Sequence, residues 1–214
     1  MKIAVLGGTG PQGRGLARRL AAAGHDLVLG SRDAGRAAES AAPLAAQGLP
    51  VSGASNEDAA AGAELVIVAV PYEGHRALLE ALAPLLAGKV VVDCVNPLGF
   101  DKQGPYALTV PDGSAAQEAA AVLPGSTVVA AFHHVSAVLL EDPEVADIDT
   151  DVLVLGEDRE ATDLVQELCG QIPGMRGIYA GRLRNAHQVE ALTANLISVN
   201  RRYKAHAGLR VTDV

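Results

Sequence analysis

An apolar run, Lys2 to Leu6, stops at Gly7-Gly8-Thr9-Gly10-Pro11-Gln12-Gly13, and a helical pattern rich in Ala, Leu and Arg begins at Pro11. Gly8, Gly10 and Gly13 fill the spacing Gly-x-Gly-x-x-Gly. In that spacing the first glycine permits a tight turn, the second lets backbone approach a pyrophosphate, and the third lets the helix lie close on the strand. The helix start adds free N–H groups and the positive end of its dipole, both suited to an anion. Alone, such a triplet is a weak signal. Here a strand precedes it and a helix comes after it, the context that makes it a dinucleotide-binding turn.

The rest of the chain repeats the pattern of that first unit. Strands are predicted at Lys2 to Leu6, Asp26 to Gly30, Pro50 to Ser52, Leu65 to Val70, Val90 to Cys94, Thr127 to Phe132, Val152 to Leu155 and Gly177 to Tyr179. Helices are predicted at Pro11 to Ala23, Asp33 to Gln47, Asn56 to Ala61, Tyr72 to Leu86, Ser114 to Leu123, Arg159 to Cys169 and Arg182 to Tyr203. Several strands are apolar without alternation, as in Leu65-Val66-Ile67-Val68, so they should be buried on both faces between helix layers. The expected fold class is α/β: a Rossmann-type, doubly wound, mostly parallel sheet over residues 1–175. A short C-terminal strand-helix extension, residues 176–214, packs on it and ends in a long helix. The stretch Asn96 to Asp112, with three prolines and two glycines, reads as an irregular binding loop. In the last helix, Leu183, Ala186, Val189, Leu192, Leu196, Val199 and Tyr203 form one apolar stripe, which could pack on its own sheet or join two copies in a homodimer.

Composition narrows the partners. The net charge is −8 and the chain holds six aromatic residues, no basis for a general nucleic-acid surface, which needs a basic field and usually stacking platforms. Two cysteines, Cys94 and Cys169, are too few for a disulfide framework and fit buried thiols in a reducing, cytoplasmic setting. No export signal precedes the first glycine turn. The longest stretch free of charged side chains, Ala119 to Leu140, is interrupted by Pro124-Gly125 and His133-His134, so no membrane span is expected.

The second strand ends Leu29-Gly30-Ser31-Arg32, where binders of NAD usually carry an acid for the ribose hydroxyl. A hydroxyl from Ser31 and guanidinium groups from Arg32 and Arg36 suit a 2′-phosphate dianion instead. At about 1.5–3 kcal/mol per charge-assisted bond, two arginines would favour NADP over NAD by roughly a hundredfold or more. As plain surface charges they would oppose the dipole at a helix start.

Proton-transfer equipment is sparse. No Tyr is followed four residues later by Lys, and the last helix has no lysine before Lys204. His133 and His134 remain, directly after a strand where sheet proteins of this kind bind ligands. Adjacent residues should point apart, so a shared metal is not expected; one should line a pocket and the other pack structurally. A nucleotide domain with so little acid/base machinery fits hydride exchange between two cofactors, which mainly requires holding reactive carbons face to face.

The chain resembles the NADPH-dependent reductases of the 5-deazaflavin coenzyme F420. The resemblance is carried by Gly7-Gly8-Thr9-Gly10, Gly30-Ser31-Arg32, Val70-Pro71-Tyr72-Glu73, Ala131-Phe132-His133 and Gly181-Arg182-Leu183-Arg184-Asn185-Ala186. It implies an NADP(H)-binding oxidoreductase with F420 as co-substrate. Thr9, Gly10, Pro11 and Gln12 would hold the pyrophosphate, and Ser31, Arg32 and Arg36 the 2′-phosphate. Tyr72, Arg76, Leu98 and Ala137 would line the nicotinamide and adenosine walls, with Ala207 near the deazaflavin and His133 beside its ring. The sequence departs from the family pattern at Asn96-Pro97 and His134-Val135-Ser136. An imine or pyrroline-carboxylate reductase would share the nucleotide domain but needs a longer helical region after Gly181. A non-catalytic NADP sensor would share the glycine turn.

Charge is unevenly spread. Residues 176–214 carry seven basic and two acidic side chains, net +5, against −13 for the rest. A basic end could attract the phosphate- and glutamate-bearing tail that the resemblance implies.

Overall fold

The computed structural model describes residues 1–214. Strands β1 (Lys2–Leu6), β2 (Asp26–Ser31), β3 (Val51–Ser55), β4 (Leu65–Val68) and β5 (Val90–Asp93) alternate with helices α1 (Pro11–Ala22), α2 (Ala34–Ala45), α3 (Asn56–Gly62) and α4 (His75–Leu86). A hairpin, β6 (Leu98–Asp101) and β7 (Gly104–Ala107), comes next. The chain continues with α5 (Ala115–Val122), β8 (Thr127–Ala130), α6 (Ala137–Glu141), β9 (Thr150–Gly156), α7 (Arg159–Gly170), β10 (Met175–Tyr179) and α8 (Ala186–Tyr203).

Eight strands form one sheet in the order β10-β9-β8-β5-β4-β1-β2-β3, parallel throughout except where β9 runs against β8. The expected Rossmann-type sheet is therefore present, and its uninterrupted apolar strands are buried on both faces. In β1, Ile3 and Val5 join the core beneath α1, α2 and α7, while Ala4 and Leu6 join the core beneath α3, α4 and α5. Strand order reverses between β1 and β4, which opens a crevice at their carboxyl ends. No helix is long and apolar enough to cross a membrane. Strand β10, at the start of the C-terminal extension, adds to the edge of the main sheet beside β9.

Three local expectations are corrected. The stretch read as an irregular loop contains β6 and β7, closed by a turn in which Asp101 Oδ1 accepts from the Gln103 and Gly104 N–H groups. Its proline and glycines masked two strands of four residues each, which lie outside the main sheet. Helix α6 stands where no helix is predicted, because five residues are too few to show a period. The long last helix opens with a 3₁₀ turn at Leu183–Asn185, and its stripe divides. Leu183, Ala186 and Val189 are buried, whereas Val199 and Tyr203 are 37% and 73% exposed.

Candidate functional site

The turn after β1 is shaped by close backbone approach. Gly7 takes φ +68°, and the Gly8 N–H donates to Gly30 O at 3.0 Å, tying the turn to β2. A Cβ on Gly13 would lie 2.6 Å from Gly8 Cα, so any side chain there would push α1 off the turn. Helix α1 begins at Pro11 with Gly10 as its N-cap, no side-chain cap and no acid in its first turn. By contrast α2, α3, α5 and α7 are capped by Asp33, Ser55, Ser114 and Asp158. Helices α4, α6 and α8 also lack a side-chain cap, but only α1 opens directly from the glycine turn, where free N–H groups suit a phosphate ligand.

Ser31 is buried at the end of β2, its Oγ accepting from the Asp33 N–H at 3.3 Å. Arg32 and Arg36 are exposed on either side of the α2 cap. Ion pairs in this chain involve other arginines, among them Arg14, Arg76, Arg176 and Arg210. The donor set at the end of β2, two exposed guanidinium groups without ion-pair partners beside the Ser31 hydroxyl, thus fits a dianion.

Beyond the turn, a cavity of about 420 Å³ lies among the tip of α1, the ends of β4, β5 and β8, the start of α6 and the carboxyl half of α8. Gln12, His133, Ala137 and Ala207, all singled out from sequence, line it together. So do Asn96, His134, Val135 and Ser136 among the positions that depart from the family pattern, whereas Pro97 does not. Tyr72, Arg76 and Leu98 lie outside its lining. Arg76 is engaged by Glu118 and Asp112, and Leu98 is half-buried in β6.

The carboxyl side of β8 is held under strain. Phe132 is fully buried with φ +63°, a conformation that costs a bulky residue about 1–3 kcal/mol. Gln12 Nε2 donates to the Phe132 carbonyl at 3.1 Å, joining the phosphate turn to this bend. The next carbonyl, of His133, accepts from Asn96 Nδ2 at 2.7 Å and Thr193 Oγ1 at 3.1 Å. The His133 ring has no partner on either nitrogen although it is buried. Burial lowers its pKa to about 4 against the opposing influence of Asp93, so the ring is neutral near pH 7. His134 is likewise lowered to about 4 by burial, and its Nε2 accepts from the Leu153 N–H at 3.4 Å. One histidine is expected from sequence to line a pocket and the other to pack structurally, but both border the cavity; they differ only in that His134 reaches into β9 through Nε2 while both His133 nitrogens lack partners.

Residues 2–97 match the family described as NADP oxidoreductase coenzyme F420-dependent. An F420-dependent NADP reductase of Methanothermobacter marburgensis is 40% identical over 100% of this chain and 99% of its own. The chain belongs to this F420-dependent reductase family. A crystal structure of a candidate F420-dependent NADP reductase from Arthrobacter sp. FB24 superimposes with TM-score 0.83 at 33% identity, covering 99% of both chains. An imine reductase from Bacillus cereus shares the fold at TM-score 0.67 and 20% identity, and only 63% of that longer chain is covered.

Sequence reasoning about this reductase passed over a buried ionic cluster on the α4 and α5 side of the sheet. His75 is fully buried, its Nε2 2.6 Å from Asp93 Oδ2 and its Nδ1 2.9 Å from Glu118 Oε1. Burial opposes charge on the ring, but the two carboxylates outweigh it and raise its pKa to about 9. Glu190 of α8 accepts from the Ala115 and Ala116 N–H groups at the start of α5. Burial raises its pKa to about 7, although those two bonds favour the charged form. The one available signal was Asp93, a charge ending the otherwise apolar run Val90-Val91-Val92.

The basic end of the chain is also partly accounted for. Arg176 and Arg210 both bind the buried Asp151 carboxylate, whose pKa falls chiefly through the Arg176 hydrogen bonds, and Arg182 pairs with Glu157. Arg184, Arg201, Arg202 and Lys204 are exposed.

Proposed function

We propose that this chain transfers a hydride between NADP(H) and coenzyme F420 in the cavity bounded by Gln12, His133, Ala137 and Ala207. The observation that carries the reading is the sharing of Gln12: it belongs to the uncapped phosphate turn and also to the cavity wall. A dinucleotide seated on the turn would extend into the cavity from that end. Bound NADP(H) supplies the carbon that donates or accepts the hydride, and F420 is its exchange partner. The chain itself supplies position and dryness. Thr9, Gly10, Pro11 and Gln12 present the start of α1 to the pyrophosphate, and Ser31, Arg32 and Arg36 grip the 2′-phosphate. Tyr72, Arg76 and Leu98 stand outside the cavity, in reach only of the more outlying parts of the nucleotide. Cavity walls built from small aliphatic groups such as Ala69, Val70, Ala137 and Ala207 leave room for a flat ring and exclude water.

His133 is the one polar side chain in this wall with both nitrogens free. A neutral imidazole places one N–H against a ring carbonyl or nitrogen without adding charge. Replacing it, as His133→Ala, keeps the carbonyl bonds to Asn96 and Thr193. Turnover with F420 is expected to fall about three- to tenfold, the worth of one hydrogen bond, with the Kd for NADPH nearly unchanged. Steady-state kinetics beside fluorescence titration with NADPH checks this; equal losses in both would mean a damaged fold.

A panel of NADPH oxidation with F420, FMN, imines and ketones tests the reading as a whole. Turnover confined to F420 supports it, and turnover of imines overturns it. Imine reduction needs a proton donor, and the buried histidines of the cavity, His133 and His134, are neutral at pH 7. Tight NADPH binding with no turnover of any acceptor would point to a sensor.

Phe100, Tyr106, Val199 and Tyr203 are all exposed on the β6–β7 hairpin and the last turns of α8, which pack on one another. We read this apolar face as the seat of a homodimer. Light scattering on the purified protein should then give twice the 21.9 kDa chain mass, and a monomer at micromolar concentration would remove the idea. Two buried free thiols fit a cytoplasmic setting.

A further inference from the structure

Arg19 lies in the last turn of α1 and is half-buried. In the fold its guanidinium is spent on main-chain carbonyls. Nε donates to Leu140 O at 3.0 Å, Nη1 to Val145 O at 2.8 Å, and Nη2 to Leu139 O at 2.6 Å and Asp142 O at 2.8 Å. These carbonyls belong to the end of α6 and the loop that leaves it. A helix of five residues has no intrinsic stability, and its last carbonyls have no partners inside it. Arg19 fills those acceptors and places a cation at the negative end of the helix.

Two further contacts fasten the same pair of helices. Arg14 Nε lies 2.7 Å from Glu141 Oε1, and a Cβ on Gly15 would come within 2.5 Å of Leu140 Cβ, so α1 and α6 touch almost backbone to side chain. At the opposite end of α6, Ser136, Ala137 and Val138 line the cavity that Gln12 lines from α1. One end of α6 is therefore a wall of the cavity and the other is bolted to the helix that opens on the phosphate turn.

We propose that Arg19 is a positioning residue that sets the distance between the α6 wall and the tip of α1, and through it the approach of the two rings between which hydride passes. This rests on the reading of the cavity given above. Arg19 touches no ligand, so its loss leaves the phosphate turn and the 2′-phosphate grip unchanged. What it alters is registry at the reacting carbons, where a misplacement of about 1 Å costs on the order of a hundredfold in rate.

The test uses the full chain with NADPH and F420. Arg19→Met is expected to lower kcat about 10- to 100-fold while Kd for NADPH changes less than about threefold and the stoichiometry of NADPH binding stays complete. Arg19→Lys, which keeps the charge but cannot span the four carbonyls, should fall between. Gly15→Ala separates positioning from charge: it wedges α6 away from α1 without touching Arg19, and should reproduce the low kcat with intact NADPH binding. A merely structural role would lower thermal stability and the number of NADPH sites together, leaving kcat per bound site at the original value. That result in Arg19→Met and Gly15→Ala overturns the proposal. If the unsubstituted protein fails to turn over F420, the functional reading falls and this inference falls with it.

Discussion

Arg32→Ala combined with Arg36→Ala is expected to reduce the preference for NADPH over NADH by about a hundredfold, leaving turnover at saturating nucleotide close to the original value. Both guanidinium groups are exposed and lie within one helical turn at the start of α2. Asp33, the nearby acid, is exposed but occupied as the N-cap, its carboxylate accepting from the Arg36 N–H at 3.1 Å. Removing two cations adds no contact to NADH, so the variant is expected to lose NADPH affinity rather than gain NADH affinity. Solvent screening keeps the effect below the sum of two ideal charge-assisted bonds. The measurement is kcat/KM for each nucleotide with F420 as acceptor. An unchanged ratio would mean that the 2′-phosphate is gripped elsewhere.

The second large effect lies in the fold. His75→Leu removes the cation from between Asp93 and Glu118 and leaves two carboxylates sharing a buried site, with Arg76 reaching only Glu118 from its exposed edge. Breaking a buried pair by deleting one partner costs about 3–5 kcal/mol. For a chain this long that corresponds to a fall of roughly 10 °C in Tm. The same cluster dictates a pH dependence. With a folded pKa of about 9 against an ordinary 6.5, His75 binds its proton more tightly when folded. Its contribution is complete below about pH 6.5 and is lost as pH rises through about 9, on the order of 3 kcal/mol in all. His133 and His134 act in the opposite sense. Buried as neutral rings with pKa near 4, they withdraw stability as pH falls from about 6.5 toward 4. Stability should therefore peak near neutrality. Denaturant melts from pH 5 to 10 check this, and in His75→Leu the alkaline fall should be absent; if it persists undiminished, His75 is not its source.

Much of the site was legible because its chemistry is local. Gly8, Gly10 and Gly13 act within one turn, and Ser31, Arg32 and Arg36 act within one strand end and one helix start, so spacing alone exposes them. Of the cavity residues drawn from distant parts of the chain, His133 was reached from its place after a strand, whereas Ala137 and Ala207 were reached only through family resemblance. Gln12, His133, Ala137 and Ala207 are spread over most of the sequence and meet at the sheet's carboxyl edge. Tyr72, Arg76 and Leu98, reached in the same way, stay outside that cavity. The hairpin and α6 escaped because each is too short to reveal a period and is held by its neighbours, β6 and β7 by each other and α8, α6 by α1.

From the sequence by itself came the parallel sheet, its helix layers and the phosphate turn, since uninterrupted apolar strands and glycine spacing admit few other structures. Only the tertiary structure decided which polar groups share a site. His75 and Asp93 are 18 residues apart, His75 and Glu118 43, and Arg19 and the carbonyls of α6 120 or more. An isolated charge looks alike in sequence whether it faces water or a buried partner, and what distinguishes the two is the cost of burying it unpaired, which exists only once the chain has closed around it.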